Sequence, residues 1–179
     1  LLINNGKAEP LADDQKAIPN SDLSLNQPTE AKLVFEDEVL SKDIKEAVRG
    51  IQLGLPLTIL GDPSTGKTEL AREINEQAFG KSKLTEVDCL HINPEQFEKQ
   101  MFGDHGKIGF FDQEPRTAKE GKLFVARGGV VLFKNIHALD SKAQDIIAAA
   151  QQFEETQRDN NQVRSIKGWI FSGPIDWLD

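Results

Sequence analysis

The stretch GDPSTGKT, Gly61 to Thr68, follows the pattern G-x-x-x-x-G-K-[ST]. In such a loop Gly61 and Gly66 let the backbone curl so that successive N–H groups face phosphate oxygens, Lys67 reaches the terminal phosphates, and Thr68 offers a hydroxyl to a metal ion. A helix beginning at the lysine adds partial positive charge at its N terminus. Gly61, Asp62, Pro63, Ser64, Thr65, Gly66, Lys67, Thr68 and Glu69 are therefore the candidate nucleotide-binding residues. The plainer alternative is an ordinary glycine-rich turn between a strand and a helix.

Turnover of a bound nucleotide needs more: a carboxylate at the end of a neighbouring strand to hold Mg²⁺, and a second one to orient the attacking water. The apolar run GGVVLFKNIH, Gly128 to His137, should supply both, but it ends in Lys134 and Asn135. If Lys134 points into the site, an ammonium and a divalent ion at ~4 Å and an effective dielectric of ~20 repel by about 8 kcal/mol. The alternative is that Lys134 extends to solvent over an empty pocket. No residue is assigned a catalytic or metal-ligating role. Cys89 and His91 could share a strand face, yet His105 and His137 are scattered and form no ligand cluster with them.

These residues need a scaffold, and the apolar periods describe one. Leu40, Ile44, Ala47, Val48 and Ile51 share a helical face ahead of the strand LPLTIL; Leu70, Ala71, Ile74 and Ala78 do so after the loop. The strand LTEVDCLHI, a short helix around PEQFEKQMF, a polar stretch from Asp104 to Glu120 and the strand VVLFKNI follow. Ser141 with Gln144 reads as a capping box for a helix burying Ile146, Ile147, Ala150 and Phe153, and GWIFSGP supplies a fourth strand. Alternating strands and helices imply an α/β fold, a parallel sheet covered on both faces. Residues 1–32 are polar, carry Pro10, Pro19 and Pro28, and show no period, which suggests a linker or N-terminal arm before a domain at 33–179.

The chain has 179 residues, 21 basic against 29 acidic side chains, for a net charge of −8. That balance suits DNA poorly, since phosphate contacts need Lys and Arg; any DNA contact is expected from a domain outside this chain. One cysteine rules out an internal disulfide, no apolar run approaches a membrane span, and the opening LLINNGKAEP lacks signal-peptide character. The expectation is a cytoplasmic piece of a longer protein, with no membrane contact.

From about residue 38 to 178 the chain resembles the AAA+ domain of bacterial enhancer-binding proteins, the activators of sigma-54 RNA polymerase. The resemblance rests on GLPLTILGDPSTGKTELAREI, VDCLHINPEQFEKQMFG and GKLFVARGGVVLFKNIHALDSKAQDIIAAAQQF. It implies a P-loop NTPase of AAA+ type, a three-layer sandwich without the fifth strand or helical lid. Its implied ligand is ATP or ADP; its implied partners are RNA polymerase or a regulatory protein, and further copies of itself in a homo-oligomer. The departures are equally specific. Lys134 and Asn135 replace the family's Asp-Glu pair, and Gly173 and Pro174 replace its phosphate-sensing Thr-Asn. The Gly-Ala-Phe-Thr-Gly-Ala loop is missing, although Phe110 and Phe111 sit in that region as candidates for a partner contact or for packing under their own loop. Arg116, Arg127, Arg158 and Arg164 are candidates for an arginine reaching a neighbouring subunit. The departures imply nucleotide binding with little or no hydrolysis, and Mg²⁺ either not required or only weakly bound. Two alternatives stay open: a working ATPase with Asp88 or Asp140 as substitute acid, and an interaction module whose loop is empty or takes another phosphate ligand such as a cyclic dinucleotide.

Overall fold

The computed structural model describes residues 38–103, 120–158 and 165–178. The segment 1–32, Phe110, Phe111, His105, Arg116 and Arg164 lie outside them.

Four parallel strands, β1 Leu57–Leu60, β2 Leu84–Asp88, β3 Val130–Lys134 and β4 Gly168–Gly173, form one sheet in the order β1-β4-β3-β2. Helices α1 Glu38–Gln52 and α2 Lys67–Phe79 cover one face; α3 Phe97–Phe102, α4 Lys122–Ala126 and α5 Ser141–Arg158 belong to the other. Strand β3 is central and buried on both sides, so its run of Val130, Val131, Leu132 and Phe133 is continuous rather than alternating, as parallel sheets require. Val130 and Leu132 join the α1/α2 core with Ile44, Ile51, Ile59, Ala71 and Ile74. Val131 and Phe133 join the opposite core, where Phe133 stacks on Trp169 and Phe171. This alternation places Lys134 on the α2 face, the face that carries the loop.

Several boundaries differ from the sequence reading, each for a local reason. Strand β2 stops at Asp88 instead of running on to Ile92, because the Asp88 carboxylate accepts the Leu90 N–H at 3.2 Å and folds Cys89–His91 into a 3-10 turn. Strand β3 stops at Lys134, since Asn135 takes a left-handed conformation, φ 57°. The short helix begins as a separate 3-10 turn, Pro94–Gln96, capped by Asn93. Helix α4 is an addition. The capping box at Ser141 is overturned: Asp140 caps α5, its Oδ1 accepting the Ala143 N–H at 2.8 Å, while Gln144 donates to the Leu139 carbonyl. Asp140→Ala should therefore cost about 1 kcal/mol of stability in thermal denaturation, and Ser141→Ala much less.

Candidate functional site

The loop leaves β1 at Leu60 and enters α2 at Lys67, so it lies at the C-terminal end of the sheet, where open α/β folds hold their ligands. Its start is anchored sideways, the Gly61 N–H donating to the Gly173 carbonyl of β4 at 3.3 Å. Gly66 closes the curl at φ 82°, a conformation a side chain would strain, and Ser64 is also left-handed at φ 64°. Residues 62–66 are exposed, and no side chain caps the N terminus of α2. The first-turn N–H groups and the positive end of the helix dipole thus face solvent. Lys67 curls back over the loop, its ammonium donating to the Gly61 carbonyl at 2.7 Å and the Asp62 carbonyl at 2.6 Å. Thr65 Oγ1 also donates to the Asp62 carbonyl, at 2.8 Å. Gly61 through Glu69 are brought together as one continuous cradle.

The end of β3 is built differently from a metal site. The Lys134 ammonium is neither free in solvent nor aimed at the loop: it lies 3.4 Å from Glu86 Oε2 and 3.7 Å from Asp88 Oδ2, on the neighbouring strand β2. Glu86 also accepts from Arg72 Nη2 at 2.6 Å, and Arg72 bridges onward to Glu69 in the first turn of α2. Asn135 donates its amide to Asp88 Oδ1 at 3.0 Å, and His91 approaches Asp88 Oδ2 at 3.4 Å. Burial pushes the Glu86 carboxyl up, but the hydrogen bond and charge of Arg72, joined by Lys134, outweigh it and hold Glu86 below the usual carboxylate range. Asp88 behaves likewise, burial being outweighed by the Asn135 and Leu90 hydrogen bonds and the Lys134 and His91 charges. Both acids are charged and fully engaged. An ion with oxygen ligands finds ammonium and amide donors already on them, so the residues present do not fit Mg²⁺.

Glu86 and Arg72 escaped the sequence reading. Glu86 stands two residues before Asp88 and so shares its face, which was a usable signal; its pairing with Lys134 needed the strand order. At β4, Gly173 offers only backbone where a phosphate-sensing side chain would stand, and a Cβ there would come within 3.3 Å of the Trp177 ring.

Two other candidates are corrected. Arg127 does not reach outward: its side chain is 5% exposed and bound to Glu154. Cys89 is buried and His91 exposed, so they share no face; burial, then the charge of Asp88, pushes the Cys89 thiol up to about 12. Among the described residues no three His, Cys, Asp or Glu side chains gather in a metal-binding group.

A parallel sheet with this loop after its first strand defines an α/β P-loop NTPase fold. The chain belongs to the sigma-54 interaction domain family, whose model matches residues 33–165. The regulatory protein LuxO of Vibrio cholerae is 32% identical over 102 residues, covering 56% of this chain and 19% of LuxO. The HTH-type transcriptional regulatory protein TyrR of Haemophilus influenzae is 30% identical over 84 residues, covering 44% and 26%. The chain thus spans a fifth to a quarter of these relatives. Crystal structures of NtrX from Brucella abortus share the fold. The form solved in complex with ATP has a TM-score of 0.55 at 19% identity, over 80% of this chain and 32% of NtrX. The complex with ADP gives the same TM-score and identity, over 80% and 30%.

Proposed function

We propose that Gly61 to Glu69 bind ATP or ADP, and that this domain of a transcriptional regulator uses the nucleotide as a structural or signalling ligand with little or no hydrolysis. The observation that carries the reading is the contrast at one sheet edge. The phosphate cradle is intact and its helix N terminus open, whereas the positions that would hold a metal ion and direct water are Lys134 and Asn135, both spent on β2 carboxylates. In this reading the backbone N–H groups of the loop and Lys67 hold the phosphates, and Thr68 adds a hydroxyl. The two acids that could substitute are both engaged: Asp88 accepts from Leu90 and Asn135, and Asp140 caps α5. That argues against either as a substitute acid.

Residues 1–32 act in this proposal as a linker or N-terminal arm and 33–179 as the P-loop domain, in the cytoplasm. Among the described residues no helix is long and apolar enough to cross a membrane. Partners would be further copies in a homo-oligomer and RNA polymerase or a regulatory protein, with DNA reached through another domain. Without a hydrolytic cycle or the family's hexapeptide loop, the role is a nucleotide-stabilised scaffold rather than a remodeller of sigma-54 polymerase.

The test pairs two measurements. A ligand at a hundredfold excess over Kd adds about 2.7 kcal/mol of stability, so ATP and ADP should each raise the melting temperature. Phosphate release should stay at background, given that losing a water-activating group alone costs roughly 10²- to 10⁴-fold. Steady ATP hydrolysis abolished by Asp88→Asn would overturn the non-hydrolytic reading, and absence of any nucleotide-induced shift would overturn the binding reading.

A further inference from the structure

The misfit between this site and a divalent ion has a positive side: a cation is present at the end of β3, and it is covalently attached. Lys134 Nζ sits between two carboxylates, nearer to Glu86 at 3.4 Å than to Asp88 at 3.7 Å. Glu86 is in turn fixed by Arg72, whose other contact is Glu69, one turn into the helix that the loop begins. A line of alternating charge, Lys134, Glu86, Arg72, Glu69, therefore runs from the tip of β3 to the first turn of α2. Every acid along it is matched to a nitrogen donor, and the ammonium is its one terminus toward β3.

A lysine is a compact point charge on a flexible stem, whose head can exchange one anionic partner for another by side-chain rotation. The side chain of Lys134 is 26% exposed. Resting on the β2 acids, the ammonium lies close to the sheet edge. The arrangement supplies what a polyphosphate needs from a counter-ion, and supplies it without an ion being recruited.

Building on the nucleotide reading above, we infer that Lys134 is the built-in counter-cation of the phosphate site, and that Glu86, braced by Arg72, is the positioning residue that sets how tightly the ammonium is held back. The ligand preferred by such a site is a polyphosphate without a divalent ion, because prior neutralisation by Mg²⁺ weakens its pull on Lys134. The β2 acids would then compete with the ligand for one ammonium, which makes Glu86 a determinant of affinity without touching the phosphates.

Calorimetry on the full chain decides the matter, with ATP titrated in EDTA and again in excess Mg²⁺. Wild type should bind at least as tightly in EDTA as with Mg²⁺. Lys134→Met should weaken metal-free binding roughly fivefold, one partly screened charge contact, and should make binding tighter with Mg²⁺ than without. Lys134→Arg should stay within roughly threefold of wild type because it keeps the charge. Glu86→Gln should tighten metal-free binding about two- to threefold while leaving the preference for EDTA in place, an effect of ordinary surface-pair size. Equal metal-free affinities for wild type and Lys134→Met would overturn the assignment of Lys134 while leaving the nucleotide site standing. A wild type that binds no ATP under either condition would remove both readings.

Discussion

Lys67→Ala should lower nucleotide affinity about 10- to 100-fold with little change in thermal stability. The ammonium is the only side-chain cation within the loop itself, and it is already held over the cradle by the carbonyls of Gly61 and Asp62 at 2.7 and 2.6 Å. Its net contribution to an anionic ligand is that of a hydrogen bond with a charged partner, about 1.5 to 3 kcal/mol, and each 1.4 kcal/mol is a factor of ten in Kd. Of the two carbonyls it leaves behind, that of Asp62 is exposed and that of Gly61 half-buried at the edge of the loop, so water takes the place of the ammonium at small cost. Binding calorimetry and a melting curve on the same sample separate the two effects. Unchanged affinity in Lys67→Ala would mean that the loop is only a turn.

Glu154→Ala is expected to be strongly destabilising, comparable to truncating a large core side chain. Glu154 is 1% exposed; Oε1 accepts from Arg127 Nε and Nη2, both at 2.9 Å, and Oε2 accepts the Ile166 N–H at 2.9 Å. One carboxylate thereby ties α5, the turn before β3 and the entry to β4. Removing half of a buried ion pair costs about 3 to 5 kcal/mol, a large share of the 5 to 15 kcal/mol typical of a whole domain. The melting temperature should fall on the order of 10 °C. Replacing both partners together, Arg127→Met with Glu154→Leu, should restore only part of the loss: an apolar pair of similar volume carries no desolvation penalty, but it no longer accepts the buried Ile166 N–H. If the double variant is as unstable as the single one, the pair matters through its shape and not its charge.

What the sequence made legible depended on how local each signal was. The loop, β3 and the apolar faces of α1 and α2 were readable because each is a contiguous pattern whose period survives any tertiary context. Helix α4 was not, as its five residues, Lys122 to Ala126, are too few to display a helical period. The cap of α5 was misplaced by one residue because Asp140 and Ser141 are both good caps and only the Ala143 hydrogen bond separates them. Arg127 read as an outward-reaching arginine because its partner Glu154 is far along the chain. Lys134 is visibly foreign to a metal site from its charge alone, yet its destination depended on β2 lying beside β3, and strand order is not written in any one segment.

The chain has two tryptophans and no tyrosine, so its ultraviolet emission comes from two indoles alone. Trp169 is 1% exposed and stacked on Phe133 at 6.1 Å, a dry surrounding that gives blue-shifted light. Trp177 is half-buried beside Gly173, the residue whose carbonyl receives the Gly61 N–H at the foot of the loop. Its wetter ring emits further to the red. The first colour reports on the interior and the second on the end of β4, beside the backbone bond that anchors the loop, so unlabelled protein offers two optical probes of different parts of the fold.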